Sequence, residues 1–550
     1  MARTILPNWK DVAAIVGLAL VWCLLALLVN PVGDFPLNDD WAYAKAVQSI
    51  LDKGDLQLTD WAPASQIAQV LWGSLFCLPD GFSFTALRLS TLVLAWVGAA
   101  STYALGRELG AGLPLALLGA LLLTVNPIYV NLAFTFMTDV PFYAFCTPAI
   151  WLFVRGIRTD SRRSIAMGTL FACAAVLTRQ FALALPLAFA AGYLVKHGSR
   201  AGSLFKAALP AVVIVAFLVL YQGWLAATGR LPQTYSEQAG ELVRLLLSAE
   251  GLGRSVRSLA QAALYVGLFL VPWLMVATVG RWWPLAWRQK WLAAGAGGVF
   301  AAAMVAIAAA GSTSLRDALI PQIFGGVLYD CGAGFPILKD TFTLWLPHIP
   351  TAPAGFWLAI TALAAVGAGL IAFVAVSSGR GERWLVAFAW VGIALYFVLI
   401  APRTASYDRY LLYFFPLVMI FALAPPPRAV PGALLGVALA LILGCGAFAA
   451  ATTHDYLAWN RVRWQVLRAA MAEGRLSPGN TDGGFEFNGW YLYDSRYRAQ
   501  PGRSWWWVDR DEFVFAFGPI DGYALYEQHR VERWMPVGVQ QVFILRRSGR

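Results

Sequence analysis

The feature that most limits what this chain can become is a succession of long apolar runs, each close to the length that crosses a bilayer. About thirteen can be marked: 12–29, 84–105, 112–127, 138–155, 164–178, 181–196, 206–226, 260–279, 290–311, 354–376, 384–401, 409–424 and 430–451. A helix needs about 20 predominantly apolar residues to span the hydrocarbon core, and several runs fall short of that. Charged residues make up 13% of the chain, about half the ~25% of soluble domains. That excludes a disordered chain, a coiled coil and an ordinary cytosolic enzyme. In a soluble protein 550 residues would suggest several domains. Here they read as one polytopic α-helical membrane unit of about thirteen transmembrane helices with a small soluble tail.

Charge divides the chain in two. Residues 452–550 carry 24 of the 71 charged side chains, an ordinary soluble density, and residues 1–451 carry the other 47. The expected organisation is a transmembrane region over 1–451, with its first outer loop at 30–83, and a C-terminal domain over 452–550, long enough for a small core. Lys and Arg in short connections set orientation. With the N-terminus inside, sixteen cations fall in inner connections, among them Arg3, Arg107, Arg158, Lys206, Arg380 and Arg428. The long loops 30–83, 227–259 and 312–353 then lie outside, and the first carries seven aspartates against Lys45 and Lys53. Thirteen spans put the tail outside too. The net charge of +11 thus reports topology rather than a nucleic-acid footprint. Arg outnumbers Lys 34 to 7, as in GC-rich bacterial genomes. The expected location is a bacterial inner membrane, with the N-terminus cytoplasmic and the tail periplasmic. The first run ends at Asn30-Pro31 without a small-residue cleavage site, so it reads as an uncleaved helix.

Four of the six cysteines lie in apolar runs, and only Cys77 and Cys331 would face outside, where a disulfide is conceivable. No metal-like cysteine spacing exists. No charge falls at the middle of a run, whereas coupled transporters accept that cost for their sites. The ionisable residues gather at the outer ends, which points to chemistry at the outer interface.

Four outer segments carry that chemistry. Asn38-Asp39-Asp40 precedes a stretch with apolar residues at 43, 46, 47, 50 and 51, the spacing of a short amphipathic helix. One Asp would serve as an N-cap; two, just beyond a transmembrane helix, hint at a site. Thr138-Asp139-Val140-Pro141 is a helix start with Pro in the first turn, at the same membrane level. These acids offer either a base with a helper or a divalent-metal site formed by Asp39, Asp40 and Asp139. Arg179 sits in a tight outer turn, and Arg403 and Arg409 in another. They either snorkel to the interface or bind an anionic lipid headgroup.

In order and topology, residues 10–425 resemble the GT-C membrane glycosyltransferases of the protein O-mannosyltransferase and lipid A aminoarabinose transferase group. The likeness rests on Asn38-Asp39-Asp40-Trp41, Ala86-Leu87-Arg88-Leu89-Ser90, Thr138-Asp139-Val140-Pro141, Leu177-Thr178-Arg179-Gln180 and Arg409-Tyr410-Leu411-Leu412 with Pro416. It implies a GT-C fold, a polyprenyl-phosphate sugar donor, and inverting transfer outside the membrane to a lipid, glycan or protein acceptor. Relatives commonly show Asp-Glu where Asp39-Asp40 stands, so either could be the base, with Asp39 matching the family Asp. Relatives often carry a basic residue one turn on, where this chain has Ala42 and Tyr43. Phosphate binding then falls to Lys45, Arg179, Arg403 or Arg409.

The residue types suit that chemistry. An acceptor hydroxyl must lose a proton as it attacks the anomeric carbon, so a carboxylate base is needed. The leaving lipid phosphate is a stable anion that needs cations or a metal, not a general acid. The alternatives are another lipid-dependent glycan polymerase or ligase, for which the 312–353 loop offers Arg316, Lys339 and His348, and a lipid or polysaccharide transporter. In the tail, helix-like 456–471 precedes strand-like stretches at 483–493, 505–508, 514–517 and 541–545, a small α/β domain. Its many aromatics suit core packing better than sugar stacking.

Overall fold

The computed structural model describes residues 8–62, 64–282, 285–310, 312, 314, 326–378, 382–403, 407–427, 432–499, 504 and 506–548. Arg3, Arg316, Arg380, Arg428 and Trp505 lie outside the described residues. The chain opens with α1 (Trp9–Val29), then α2 (Asp40–Lys53) and α3 (Ile67–Cys77) in the first long loop, and α4 (Phe84–Glu108). Next come α5 (Leu113–Thr124), α6 (Pro127–Ala133), α7 (Asp139–Thr159), α8 (Arg162–Val176), α9 (Ala184–His197), α10 (Ala201–Ala227) and α11 (Gln233–Leu246). The second half holds α12 (Ala249–Trp282), α13 (Trp287–Ala309), α14 (Ala354–Ser377), α15 (Arg383–Ile400), α16 (Phe414–Leu423), α17 (Gly432–Ala472) and α18 (Phe485–Leu492).

Each of the thirteen apolar runs is, among the described residues, helical over most of its length. Among the described residues nine helices are long and apolar enough to cross a membrane unaided, and a tenth arises if α5 and α6, bent by 60°, count as one span. The bend follows from Asn126-Pro127. A residue before proline is pushed out of the helical region, and Asn126 caps α6 by accepting from the N–H groups of Ile128 and Tyr129. Runs 164–178, 181–196 and 409–424 became shorter helices, α8, α9 and α16. The last two are each preceded by a 3₁₀ turn, Gln180–Leu183 and Asp408–Tyr413. Those two turns carry the site described below.

Helices 12, 13 and 14 pack closely because glycines meet. A Cβ on Gly367 of α14 would stand 2.1 Å from the carbonyl oxygen of Gly267 in α12, the close approach that small residues permit in membranes. At the side expected to be cytoplasmic, Arg107 pairs with Asp11 at 3.0 Å and Arg158 with Glu108 at 2.9 Å. All six cysteines are free.

The expected boundary at 451/452 falls inside α17. This helix of 41 residues is ~60 Å long at 1.5 Å per residue, about twice the ~30 Å hydrocarbon core. Its second half carries Arg461, Arg463 and Arg468 out to the loops. Beyond it lies a four-stranded sheet in the order β3-β4-β6-β5, from β3 (Thr481–Asp482), β4 (Phe513–Ala516), β5 (Tyr523–Arg530) and β6 (Gln541–Arg547). β3 runs parallel to β4 and the other pairs are antiparallel. A two-residue-per-strand hairpin, β1 (Leu328–Tyr329) with β2 (Gly332–Ala333), belongs to the preceding long loop.

Two strand expectations fail in the tail. Residues 485–492 form α18 instead: Phe485, Glu486, Phe487, Asn488 and Gly489 are buried while Tyr491 is exposed, and Gly483 and Gly484 before it sit tight against neighbours. Residues 506–508 are not a strand; Trp506 and Trp507 are buried, with Trp507 at φ +61°. Trp507 packs edge-on against Trp41 and Trp61, so these rings are core.

Candidate active site

A cavity of about 480 Å³ lies among Asp39, Tyr43, Trp61, Arg179, Arg403, Arg409 and Tyr410, with Tyr235, Gln238 and Glu241 of the α11 segment on the far side. Its walls come from the loops around α2 and α11 and from the turns before α9 and α16. All are connections that the Lys/Arg bias assigns to the outside.

Asp39 occupies the N-cap position of α2 but makes no capping bond. Its Oδ1 instead accepts from Trp61 Nε1 at 2.8 Å, and its Oδ2 lies 3.6 Å from Arg409 Nη2. Thr138, the N-cap of α7, is likewise not used as a cap; its Oγ1 accepts from Arg179 Nε at 2.6 Å. Both caps are thus diverted from the role that local sequence suggests.

Asp139 is buried behind two guanidiniums and does not line the cavity. Arg179 Nη1 stands 2.9 Å from its Oδ1, and Arg409 Nε 3.9 Å from its Oδ2. Arg409 therefore bridges Asp39 and Asp139. Its ring neighbours are Tyr407 at 4.6 Å, Phe335 at 5.3 Å and Tyr410 at 5.6 Å. Its Nε and Nη1 are buried and make no hydrogen bond within the protein. Nε faces the Asp139 carboxylate. With Arg179 and Arg403, Arg409 gives the cavity a lining of three guanidiniums, which suits an anion. Arg403 donates from Nη1 to Gln238 Oε1 at 3.0 Å and lies over Phe181. Burial would lower the Arg179 pKa, but Asp139 and Tyr410 leave it raised, so it is a fixed positive charge.

Asp40 and Lys45 are not among the cavity's lining residues. Asp40 is fully buried, its Oδ1 accepting from the Leu37 N–H at 2.6 Å and its Oδ2 from the Phe136 N–H at 3.2 Å. Burial pushes its pKa up to about 8, against the pull of Arg88 and those two N–H groups. It ties the loop to the start of α7. Lys45 donates to the Gly489 carbonyl at 3.1 Å and sits 5.2 Å from the Trp41 ring centre. Burial lowers its pKa to about 8. A second cation, Arg88, donates to the carbonyls of Pro31, Gly33 and Phe35 and so shapes the loop that presents Asp39.

A divalent cation does not suit this donor set. Asp39 and Asp139 are spaced by the Arg409 guanidinium, and among the described residues no group of three His, Cys, Asp or Glu could hold a metal. Lys339 and His348, the alternatives in the late loop, are taken up elsewhere. Lys339 pairs with Asp511 of the C-terminal sheet, and His348 Nδ1 lies 2.7 Å from Asp340 Oδ2.

Sequence reasoning missed Trp61, Tyr407, Tyr410 and the α11 wall. Trp61 lies in a long loop with no periodic apolar signal; α11 was readable from Tyr235, Ala239, Leu242, Val243 and Leu246 at helical spacing, and the tyrosines from their place beside Arg409.

Residues 66–226 match the family model described as dolichyl-phosphate-mannose-protein mannosyltransferase. The matched stretch holds Asp139 and Arg179; Asp39, Arg403 and Arg409 lie outside it. No curated protein matches the chain. Among solved structures, the S. cerevisiae protein O-mannosyltransferase Pmt1–Pmt2 complex bound to the sugar donor is similar at 16% identity and TM-score 0.33, over 42% of this chain and 35% of that one. ArnT from Cupriavidus metallidurans bound to undecaprenyl phosphate is similar at 13% identity and TM-score 0.39, over 97% of each chain. The Archaeoglobus fulgidus oligosaccharyltransferase in its apo form is similar at 13% and TM-score 0.43, over 91% of this chain and 62% of that one. The chain thus spans about a third of the yeast protein and under two thirds of the archaeal one.

Proposed function

We propose that this chain is an inverting glycosyltransferase that moves a sugar from a polyprenyl-phosphate donor to a lipid, glycan or protein acceptor on the outer face of a bacterial inner membrane. The observation that carries the reading is one cavity in which a carboxylate, Asp39, stands beside three guanidiniums, those of Arg179, Arg403 and Arg409. The family match over residues 66–226 supports the same class.

In this reading Asp39 accepts the acceptor's hydroxyl proton as that oxygen attacks the anomeric carbon. The bond from the anomeric carbon to the phosphate oxygen breaks, and the electron pair leaves with the lipid phosphate. Arg409, Arg179 and Arg403 stabilise the departing anion. Preorganised charge in a water-poor site acts strongly there, and guanidiniums match phosphate geometry. Asp139 does not touch substrate; it orients Arg179 and Arg409. Asp40 and Lys45 serve the loop fold. Lipid held along the helices would place the sugar over Asp39.

The test is reconstitution in lipid nanodiscs with a panel of radiolabelled polyprenyl-phosphate sugars, mannose first, and a membrane extract as acceptor. Label is expected to move to the extract with release of polyprenyl phosphate, and Arg409→Ala is expected to abolish it. Transfer from nucleotide sugars instead, or no release from any member of the panel, overturns the reading.

A further inference from the structure

The loop that presents Asp39 is not held by its own membrane helices alone. Asn38, just before it, adopts φ +54°, a left-handed conformation that Asn tolerates but that needs surrounding support. Its N–H donates to Glu486 Oε1 at 3.0 Å, across 448 residues of sequence. Glu486 belongs to α18 in the C-terminal unit, and its Oε2 lies 3.0 Å from Arg463 Nη1 of α17, both side chains fully buried. On the other side of Asp39, the Asp40 carboxylate accepts from the Leu37 N–H. The backbone flanking Asp39 is therefore fixed at both neighbours.

α18 is docked so that Glu486 can reach. Trp41 packs against Phe485 and Tyr493, and Lys45 bonds the Gly489 carbonyl. Gly489 permits this contact, since a Cβ there would stand 2.4 Å from the Trp41 ring. Arg463 Nε and Nη2 make no hydrogen bond, and its guanidinium lies between the rings of Trp459 and Trp464, 5.2 and 5.6 Å from their centres.

We propose that Glu486 is a positioning residue for Asp39, acting through the Asn38 N–H, so that the C-terminal unit sets the place of the base rather than binding sugar. The proposal rests on the reading of Asp39 as that base. A buried ion pair is often matched or exceeded in stability by apolar residues of similar volume. What an apolar pair cannot supply is an acceptor for the Asn38 N–H. Glu486 is not among the residues lining the cavity, so it acts only through the loop.

The test uses two double variants of the full chain in nanodiscs, R463L/E486Q and R463L/E486L. Both lack the ion pair, and only the first keeps an acceptor. Melting temperature, kcat and KM for polyprenyl-phosphate mannose, or whichever panel member the wild type uses, are measured with amide exchange over residues 36–41. R463L/E486Q is expected to keep kcat within about threefold of wild type. R463L/E486L is expected to lose about tenfold or more in kcat at little-changed KM, with faster exchange at Asn38 and a melting temperature lower by no more than about 2–4 °C. Should R463L/E486L not fold, R463L/E486M takes its place. Equal kcat in the two doubles, or losses that merely follow melting temperature, overturns the proposal. So does unchanged Asn38 exchange in both, a readout that stands even if the wild type transfers no sugar.

Discussion

Asp39→Asn should separate chemistry from folding. The Asp39 side chain is 20% exposed, with Arg409 Nη2 at 3.6 Å and Trp61 Nε1 at 2.8 Å. An Asn carbonyl oxygen can keep the Trp61 bond, so the substitution removes one partly exposed ion contact. Such contacts contribute about 0–1 kcal/mol, and Arg409 retains Asp139 at 3.9 Å. The melting temperature should fall by no more than ~2–4 °C. The base is a different matter. General-base catalysis contributes about 10²–10⁴-fold, or roughly 3–5 kcal/mol of barrier at 1.36 kcal/mol per tenfold. The catalytic effect exceeds the structural one several times over. In nanodiscs with saturating donor, the initial rate of polyprenyl-phosphate release should drop about 10²-fold or more while the protein stays folded. KM for the anionic donor should not rise, because a negative charge has left the cavity. A rate within about threefold of wild type, or a loss matched by loss of folded protein, would refute Asp39 as the base.

Asp40→Asn should show the opposite signature. An amide can accept from only one of the Leu37 and Phe136 N–H groups and opposes a donor to the other, costing about 1–3 kcal/mol; melting should fall, with activity following it. Gly489→Ala drives a Cβ into Trp41 and should cost about 1–3 kcal/mol as overpacking, seen in the same melting assay. Asp511→Asn leaves Lys339 buried and unpaired, costing about 3–5 kcal/mol at neutral pH. Burial raises the Asp511 pKa, but Lys339 and Tyr523 overcome that and hold it below 3.8. A depressed carboxylate contributes stability above its unfolded value that is lost as pH falls through the folded one. The gap between wild type and Asp511→Asn should therefore close only below pH 3.8; a gap constant from neutral pH downward contradicts the pairing.

The apolar runs were legible because membrane insertion is decided by local composition, and among the described residues each of the thirteen is helical over most of its length. The amphipathic α2 was legible from its spacing. Residues 483–493 misled because the alternate aromatics Phe485 and Phe487 read as one face of a strand, whereas both lie in the buried first half of a short helix. The acids and arginines at the ends of the apolar runs were legible as a group because charge is rare in such a chain. Their division of labour was not. Asp39 and Asp40 are neighbours with the same side chain, yet one lines the cavity and the other ties Leu37 to Phe136.

By itself, then, the sequence determined a polytopic helical protein whose few ionisable residues gather at the ends of its apolar runs. These follow from free energies of transfer, which are summed residue by residue along the chain. Only the tertiary structure decided that Asp139 stands behind two guanidiniums, that Arg409 bridges Asp139 and the cavity-lining Asp39, and that Glu486 meets the Asn38 N–H. Those contacts join residues up to 448 positions apart. Which hydrogen bonds form at that separation depends on where packed helices bring the backbone, a quantity no local pattern encodes.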